Sequence, residues 1–260
     1  MKILGIDTTT KFLCLGAYDG AKIYEYNLEL GTKHSALLVP TIKRVLDALE
    51  WHISEVDYFA CGLGPGSFTG MRVGLATIKG LSWATKRPVI GISTLDILAQ
   101  NVNHVRNRLP NATVSSNNGS ISNGVKDSDK NIIPIIDAKR ELIYCSIYKK
   151  KNRKLSRVKP YMLLSIEEFF KIAKPDSIIF GDAVTPFKEE IIRRVRGANI
   201  LDKDYWYPKA HNIIALALER IKEKKFENSF GIRPIYLYPK ECQIKPQITQ
   251  IKRNRLHRLK

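Results

Sequence analysis

Residues 64–74 read GPGSFTGMRVG, a run in which closely spaced glycines permit a tight turn and hydroxyl side chains can cap a helix. It predicts a loop that opens a helix from about Met71 to Ala84, with Ser67 or Thr69 as the cap. Free backbone N–H groups at such a helix start favour a nearby anion. The run lacks the Gly-Lys-Ser or Gly-Lys-Thr ending of a Walker loop and the glycine spacing of a nucleophile elbow.

The segments on either side of this loop predict the rest of a first lobe. Alternating apolar residues and an Asp19-Gly20 turn indicate a β-meander. Apolar residues at helical spacing predict a helix from Ser35, as N-cap, to Leu49, with Pro40 as a bend near its first turn. The predicted strands are 3–6, 13–18, 23–28, 56–61 and 89–92, and a further helix runs over 95–102.

A second series of strands and helices follows and gives the chain an α/β pattern. Its predicted strands are 132–136, 142–148 and 177–180, its helices are 166–173, 187–195 and 212–224, and residues 235–238 are extended. We therefore expect a first lobe at 1–104, a flexible polar insertion at 105–131, a second lobe at 132–209, a helix and extended segment packing back on the lobes at 210–242, and a basic tail at 243–260.

The chain is strongly basic, with 43 Lys and Arg against 25 Asp and Glu and a net charge of +18. Such a field favours an anionic partner, and nucleic acid is the natural candidate. The excess is concentrated in Lys149–Lys159, which has seven basic residues and no acid, and in the tail after Glu241. A solvated loop and a solvated tail are the alternative interpretation.

Several features predict a cytoplasmic protein that does not contact a membrane. No apolar run approaches the roughly 18–20 residues that span a bilayer. The N-terminal run Ile3–Ile6 is too short for a signal peptide and is ended by Asp7. The four cysteines lie far apart and form no Cys-x-x-Cys pair, which indicates buried thiols and no metal site.

Two small-residue motifs are candidates for function. Asp7, Thr8 and Thr9 follow the first strand, where a carboxylate and hydroxyl groups in a tight turn suit phosphate, although a capped turn without a ligand is the alternative. In the helix after the loop, small residues recur every four positions on two faces. Another helix, from this chain or from a partner, could pack unusually close there. The small residues are Gly70 and Gly74 on one face and Ala76, Gly80 and Ala84 on the other.

Five blocks of the sequence, taken in order, resemble the bacterial TsaB (YeaZ) family: 5–8, 64–74, 91–95, 137–141 with Tyr144, and 234–237. The resemblance implies a two-lobed actin-like ATPase (ASKHA, ribonuclease H-like) fold. It also implies a dimerisation partner of the catalytic subunit TsaD, acting with TsaE, in making threonylcarbamoyladenosine in tRNA. In this family the two first-lobe helices pack with their counterparts as a four-helix bundle. The implied interface residues are Leu38, Ile42, Leu46, Leu49, Gly70, Gly74, Ala76, Gly80 and Ala84.

Missing parts indicate a degenerate nucleotide site and a non-catalytic subunit. The five histidines are isolated, so no pair one helical turn apart can hold a metal. The second lobe has Asp137-Ala138-Lys139-Arg140 where a glycine-rich phosphate turn is expected, and only Gly181-Asp182 where an adenosine-binding glycine pair is expected. We expect no cofactor of its own. ATP or ADP at the partner interface, and a homodimer when TsaD is absent, are both compatible with the resemblance.

Two other functions compete with this interpretation. One is a stand-alone nucleotide hydrolase of the same fold, which would need a general base and both phosphate loops. The other is an RNA-binding protein, although the chain lacks an aromatic-interleaved RNA-binding motif. In the tail, apolar residues also suggest a short amphipathic helix that docks on protein. The candidate RNA contacts are Lys252, Arg253, Arg255 and Arg258.

Overall fold

The computed structural model describes residues 1–31, 33–104, 130–151 and 154–238. The first sheet consists of β1 (Ile3–Asp7), β2 (Phe12–Tyr18), β3 (Ile23–Glu29), β4 (Tyr58–Gly62) and β5 (Val89–Ile92). Its order is β3-β2-β1-β4-β5, in which β1 to β3 form the predicted antiparallel meander and β4 and β5 run parallel to β1. This is the ribonuclease H-like arrangement. Every residue of β1 is buried, as a strand covered on both faces requires.

Three helices complete the first lobe: α1 (His34–Ala48), α2 (Phe68–Thr85) and α3 (Thr94–Ala99). The inward stripes of α1 and α2 pack with one face of the sheet in a single apolar cluster that includes Leu38, Ile42 and Ile78. Ser67 accepts a hydrogen bond from the Gly70 N–H at 3.2 Å and caps α2, as the sequence predicted. The 64–67 loop and the start of α2 therefore lie against the end of β1.

The second sheet belongs to the second lobe. Its strands are β6 (Ile132–Lys139), β7 (Leu142–Cys145), β8 (Tyr148–Lys151), β9 (Lys154–Arg157), β10 (Met162–Ser165), β11 (Ile178–Phe180) and β12 (Asn199–Ile200). The order is β10-β7-β6-β11-β12, with β8 pairing with β6 and β9. Two helices pack here, α4 (Ile166–Ile172) and α5 (Val184–Arg194), and contribute Phe169 and Ile191 to the core of this lobe.

The last helix, α6 (Ala210–Lys222), returns to the first lobe and covers the other face of its sheet. Its approach is close because β1 and β2 present glycines to it. A Cβ on Gly5 would lie 2.8 Å from Ile213, and a Cβ on Gly16 would lie 2.9 Å from Ile214. The described residues include no helix with the length and apolar composition needed to cross a membrane.

The structure corrects three details of the sequence interpretation. The N-cap of α1 is Lys33, without a side-chain hydrogen bond, so Ser35 is the second residue of the helix and not its cap. The predicted strand 142–148 is divided into β7 and β8. The basic run Lys149–Lys159, for which a solvated loop was the alternative interpretation, contains most of the β8–β9 hairpin, whose alternation was hidden because basic residues occupy five of its eight strand positions. Residues 105–129 and the tail at 243–260 lie outside the described residues.

Gly74 and Gly80 of α2 test which face of this helix is packed, since a Cβ would meet Thr8 at Gly74 and open space at Gly80. We predict that Gly74→Ala lowers the free energy of unfolding by about 1–3 kcal/mol, because the new Cβ would lie 2.2 Å from Thr8 Oγ1. Gly80→Ala should raise it by about 0.5–1 kcal/mol, since no atom lies within 4 Å of that Cβ and alanine favours helix. Urea denaturation of both variants checks this, and equal effects would contradict it.

Candidate functional site

A cavity of about 780 Å³ lies between the two lobes. Its walls come from the turn after β1, the loop before α2, the turn between β6 and β7, and the segment Ile235–Tyr238. This volume lies in the range of small-ligand sites. It is the position at which the sequence predicted a degenerate nucleotide site.

Asp7 ends β1 but does not line this cavity. Its carboxylate accepts hydrogen bonds from the Thr9 N–H at 2.8 Å, the Thr9 hydroxyl at 2.7 Å and the Thr94 hydroxyl at 2.7 Å. The side chain is fully buried, and burial raises its pKa above the ordinary value despite these donors. Asp7 therefore joins β1 to the first residue of α3 and has no face open to a ligand.

The neighbouring threonines of the predicted phosphate turn are also used internally. The Thr8 hydroxyl donates to the Gly70 carbonyl at 2.7 Å, which ties the turn to α2. Thr9 lines the cavity, but its hydroxyl donates to Asp7. The structure thus brings Asp7, Thr8 and Thr9 together as a hydrogen-bonded junction of the first lobe.

On the second-lobe side, a carboxylate lies in the turn where a phosphate-binding loop would present free N–H groups. Asp137 accepts a hydrogen bond from the Lys139 N–H at 2.7 Å and pairs with the ammonium of the same lysine. Lys139, Arg140 and Glu141 all have positive φ, between 54° and 65°, a rare conformation for residues other than glycine. The Lys139 ammonium at this turn is therefore already paired with a carboxylate of the protein.

Asp182 adds a second carboxylate to the same wall. It accepts a hydrogen bond from the Asp137 N–H at 2.8 Å. Burial, and to a smaller extent the negative charge of Asp137, raise the pKa of Asp182 to about 6. The sequence drew attention to Gly181-Asp182, but only the parallel pairing of β6 with β11 brings Asp182 to Asp137.

The segment Ile235–Tyr238 connects the two lobes along one side of the cavity. The Ile235 N–H donates to the Leu63 carbonyl at 2.8 Å, and the Arg72 guanidinium donates to the Tyr236 hydroxyl at 3.0 Å. At the other end, the Tyr238 hydroxyl donates to the Ala138 carbonyl in the second lobe at 2.7 Å. The segment therefore fills part of the cleft with the chain's own residues.

The predicted partner interface separates into a buried half and an exposed half. Several of its residues lie in the core of the first lobe, because the apolar stripe of α1 and the first glycine face of α2 point towards the sheet and Thr8. For these residues the interface prediction was wrong, since they are not available to a partner. They are Leu38, Ile42, Leu46, Gly70 and Gly74, and Leu49 is partly buried in the same cluster.

The other half of the predicted interface lies on the solvent side of α2. Ala76, Gly80 and Ala84 are exposed there, and Trp83 beside them is 60% exposed. On α1, Val39 is 58% exposed. We refer to these five residues as the exposed helix face.

The last two predictions concern the RNA contacts and the absence of a metal site. The RNA-contact candidates Lys252, Arg253, Arg255 and Arg258 lie outside the described residues, so they stay a prediction. Among the residues that are described, no three His, Cys, Asp or Glu side chains come together in a way that could hold a metal ion.

The sheet order and the cleft define a class: an actin-like fold in which the turns facing the nucleotide position are occupied by the protein's own hydrogen bonds and carboxylates. The family model described as "TsaD: tRNA N6-adenosine threonylcarbamoyltransferase" matches residues 29–116. Two solved structures of Pseudomonas aeruginosa proteins have the same fold and are 21% and 22% identical to the chain. The one named YeaZ superposes with a TM-score of 0.70, and the match covers 91% of this chain and 100% of that chain.

Curated relatives match over most of the chain. The "tRNA threonylcarbamoyladenosine biosynthesis protein TsaB" of Bacillus subtilis is 26% identical, covering 94% of this chain and 97% of the relative. The protein of the same name from Buchnera aphidicola subsp. Schizaphis graminum is 29% identical, covering 82% and 90%. The chain is similar to TsaB (YeaZ) proteins over most of its length, which confirms the sequence resemblance and the fold that it implies.

Asp182 should make the stability of the protein depend on pH. Its folded pKa of about 6 exceeds the ordinary value of 3.8, so the folded state binds the proton more tightly. Stability should therefore fall as pH rises from about 4 to about 6, by on the order of 3 kcal/mol from this group. Asp182→Asn should remove that part of the decline, and Glu189→Gln, an exposed change on α5, should retain it. Urea midpoints across this pH range give the measurement; parallel curves for Asp182→Asn and wild type would contradict it.

Proposed function

We propose that the chain is a non-catalytic partner subunit that supports TsaD in transferring a threonylcarbamoyl group to the adenosine adjoining the tRNA anticodon. The main support is the match to curated TsaB proteins over nearly their whole length, including 97% of the Bacillus subtilis protein. That protein's name assigns it to threonylcarbamoyladenosine biosynthesis. The match of residues 29–116 to the TsaD family model adds a likeness between the first lobe and the proposed partner.

The geometry of the cleft supports a role without its own nucleotide chemistry. Asp7 is fully buried, and its carboxylate accepts three hydrogen bonds from the protein instead of facing the cleft. In the second turn, Asp137 pairs with the Lys139 ammonium and accepts a hydrogen bond from the Lys139 N–H. In our proposal the chain holds no nucleotide in its cleft, and ATP or ADP binds at the junction with TsaD.

The exposed helix face is the proposed contact with TsaD. Ala76, Gly80 and Ala84 leave room for a helix to approach closely, and the Gly80 position has no atom within 4 Å of its Cβ direction. Trp83 offers a large exposed apolar side chain, a residue type enriched among the energetically dominant positions of interfaces. In the absence of TsaD, a second copy of this chain would occupy the same face. TsaE and tRNA join through the assembled complex.

A single substitution separates folding from partner binding. We predict that Gly80→Leu leaves the chain folded, because the position is open and leucine favours helix. It should weaken binding to TsaD by roughly 1–3 kcal/mol, about 5- to 150-fold, because the added side chain overpacks the contact. Co-expression with TsaD from the same organism, followed by titration calorimetry, gives the affinity.

Gly80→Ala is the matched control for this experiment, since it keeps a small residue at the contact. Unchanged affinity of a folded Gly80→Leu variant would place the interface elsewhere on the chain. A wild-type chain that shows no affinity for TsaD would overturn the proposed function itself.

The purified chain should not hydrolyse ATP in the steady state, in contrast to the stand-alone hydrolase alternative. We expect Asp7→Asn to change stability and not turnover, because Asp7 holds the Thr9 and Thr94 hydroxyls inside the fold. Phosphate release by wild type, Asp7→Asn and a blank preparation is the measurement. Turnover that copurifies with the wild-type chain and vanishes in a folded Asp7→Asn variant would support the hydrolase.

A further inference from the structure

The β8–β9 hairpin turns the basic run of the sequence into a flat charged surface. Its register places Lys149 opposite Ser156, Lys150 opposite Leu155 and Lys151 opposite Lys154. Because side chains alternate between the faces of a strand, Lys149, Lys151 and Lys154 share one face. Leu155 lies on the other face and packs against the core of the second lobe. The three lysines therefore point outwards, and we call them the basic hairpin face.

The base of this hairpin is held firmly. Two hydroxyls, those of Tyr148 in β8 and Tyr161 after β9, donate to the two oxygens of Asp96 in α3 at 2.7 Å each. The Val158 N–H donates to the Ile147 carbonyl at 2.8 Å and extends the pairing beyond the strands. A charged surface on such a support loses little conformational freedom when a ligand binds.

Two of the three charges on this face lack a carboxylate partner in the described part of the chain, and the third, on Lys154, lies near Glu223. Lys149 and Lys151 have no carboxylate partner among residues 1–31, 33–104, 130–151 and 154–238. Lys151 and Lys154 are directly opposite, an arrangement that destabilises a sheet when the charges are alike. Lys154 lies near the end of α6, where its charge contributes to lowering the pKa of Glu223. The exposed Lys222 and Lys224 extend the positive surface there.

Protection of an exposed strand edge is the simplest rival explanation. Among the strands that the structure describes, β9 pairs only with β8, and lysines on an edge strand discourage aggregation. That purpose requires charge on the edge strand itself, whereas the described part of Lys149–Lys159 has six basic residues and no acid, and three of the six lie in β8. An array of this density, spaced roughly 7 Å along a strand, matches a ligand that carries many regularly spaced negative charges.

We propose that the basic hairpin face binds the phosphate backbone of structured RNA, so that this subunit contacts the tRNA directly while TsaD performs the transfer. The choice of RNA among polyanions rests on the proposed function. The contacts are to phosphates and do not depend on the base sequence. The hairpin belongs to the second sheet, whereas the exposed helix face belongs to the helices on the first sheet. One chain can therefore hold TsaD and RNA on different surfaces.

The test uses the full-length chain and an unmodified tRNA transcript, with binding measured by fluorescence anisotropy across a salt series. The variant combines Lys149→Gln, Lys151→Gln and Lys154→Gln. Its control removes the same charge elsewhere on the second lobe, through Lys171→Gln, Lys174→Gln and Lys188→Gln. We expect the hairpin variant to bind at least about tenfold more weakly at low salt. Its plot of log affinity against log salt should be shallower by about 2–3, since each lost phosphate contact removes nearly one unit.

Three results would overturn the inference: equal affinities and slopes for the hairpin variant and wild type, equal losses in both triple variants, or a wild-type chain with no affinity for tRNA. Polyglutamate at equal charge must compete poorly, since equal competition would replace RNA by acidic protein. A hairpin variant that aggregates while tRNA binding persists would establish edge protection.

Binding of TsaD to the same variants is measured in parallel. A chain that binds TsaD but shows no hairpin dependence contradicts only this inference, whereas failure to bind TsaD contradicts the proposed function.

Discussion

The buried carboxylate of Asp7 is the constraint on which the first lobe depends. It sits at the end of the central strand, accepts hydrogen bonds from Thr9 and Thr94, and leaves no space for a side chain at Gly62, where a Cβ would lie 2.0 Å from its oxygen. A buried charge without such donors would be strongly unfavourable. The turn after β1 and the start of α3 are therefore locked together, and Thr8 extends the lock to α2.

The hydrogen bonds around Asp7 also affect whether the cleft can bind a nucleotide. An actin-like cleft that bound a metal-nucleotide complex would need a carboxylate and N–H groups available from two facing turns. Here one carboxylate is enclosed, another occupies the opposite turn, and Ile235–Tyr238 lies along the side. The hydrogen bonds of Ile235–Tyr238 join the two lobes across this cleft. The two surfaces that we propose for partners lie on the outside of the molecule, on α2 and on the β8–β9 hairpin.

These two outer surfaces have different physical character. The exposed helix face is apolar and small, with Trp83 as its largest side chain, and suits close packing with another helix. The basic hairpin face is charged and rigidly supported through Asp96, and suits a polyanion. Affinity at the first face depends on shape and excluded water, whereas affinity at the second depends on salt. In the proposed function, a subunit with both surfaces links a protein partner to a nucleic acid.

The sequence by itself determined most of the elements, because strand alternation, helical periodicity and the 64–74 loop are local patterns, but it did not show β9, β10 or β12. It also showed which small residues α2 carries. Only the tertiary structure decided which of them face outwards: Gly74 meets Thr8, while Gly80 faces open space, and Leu38 belongs to the core. It likewise decided that Asp7 is enclosed and that Lys151 lies opposite Lys154. Burial and cross-strand register arise from contacts between distant segments, and periodicity in one segment does not specify them.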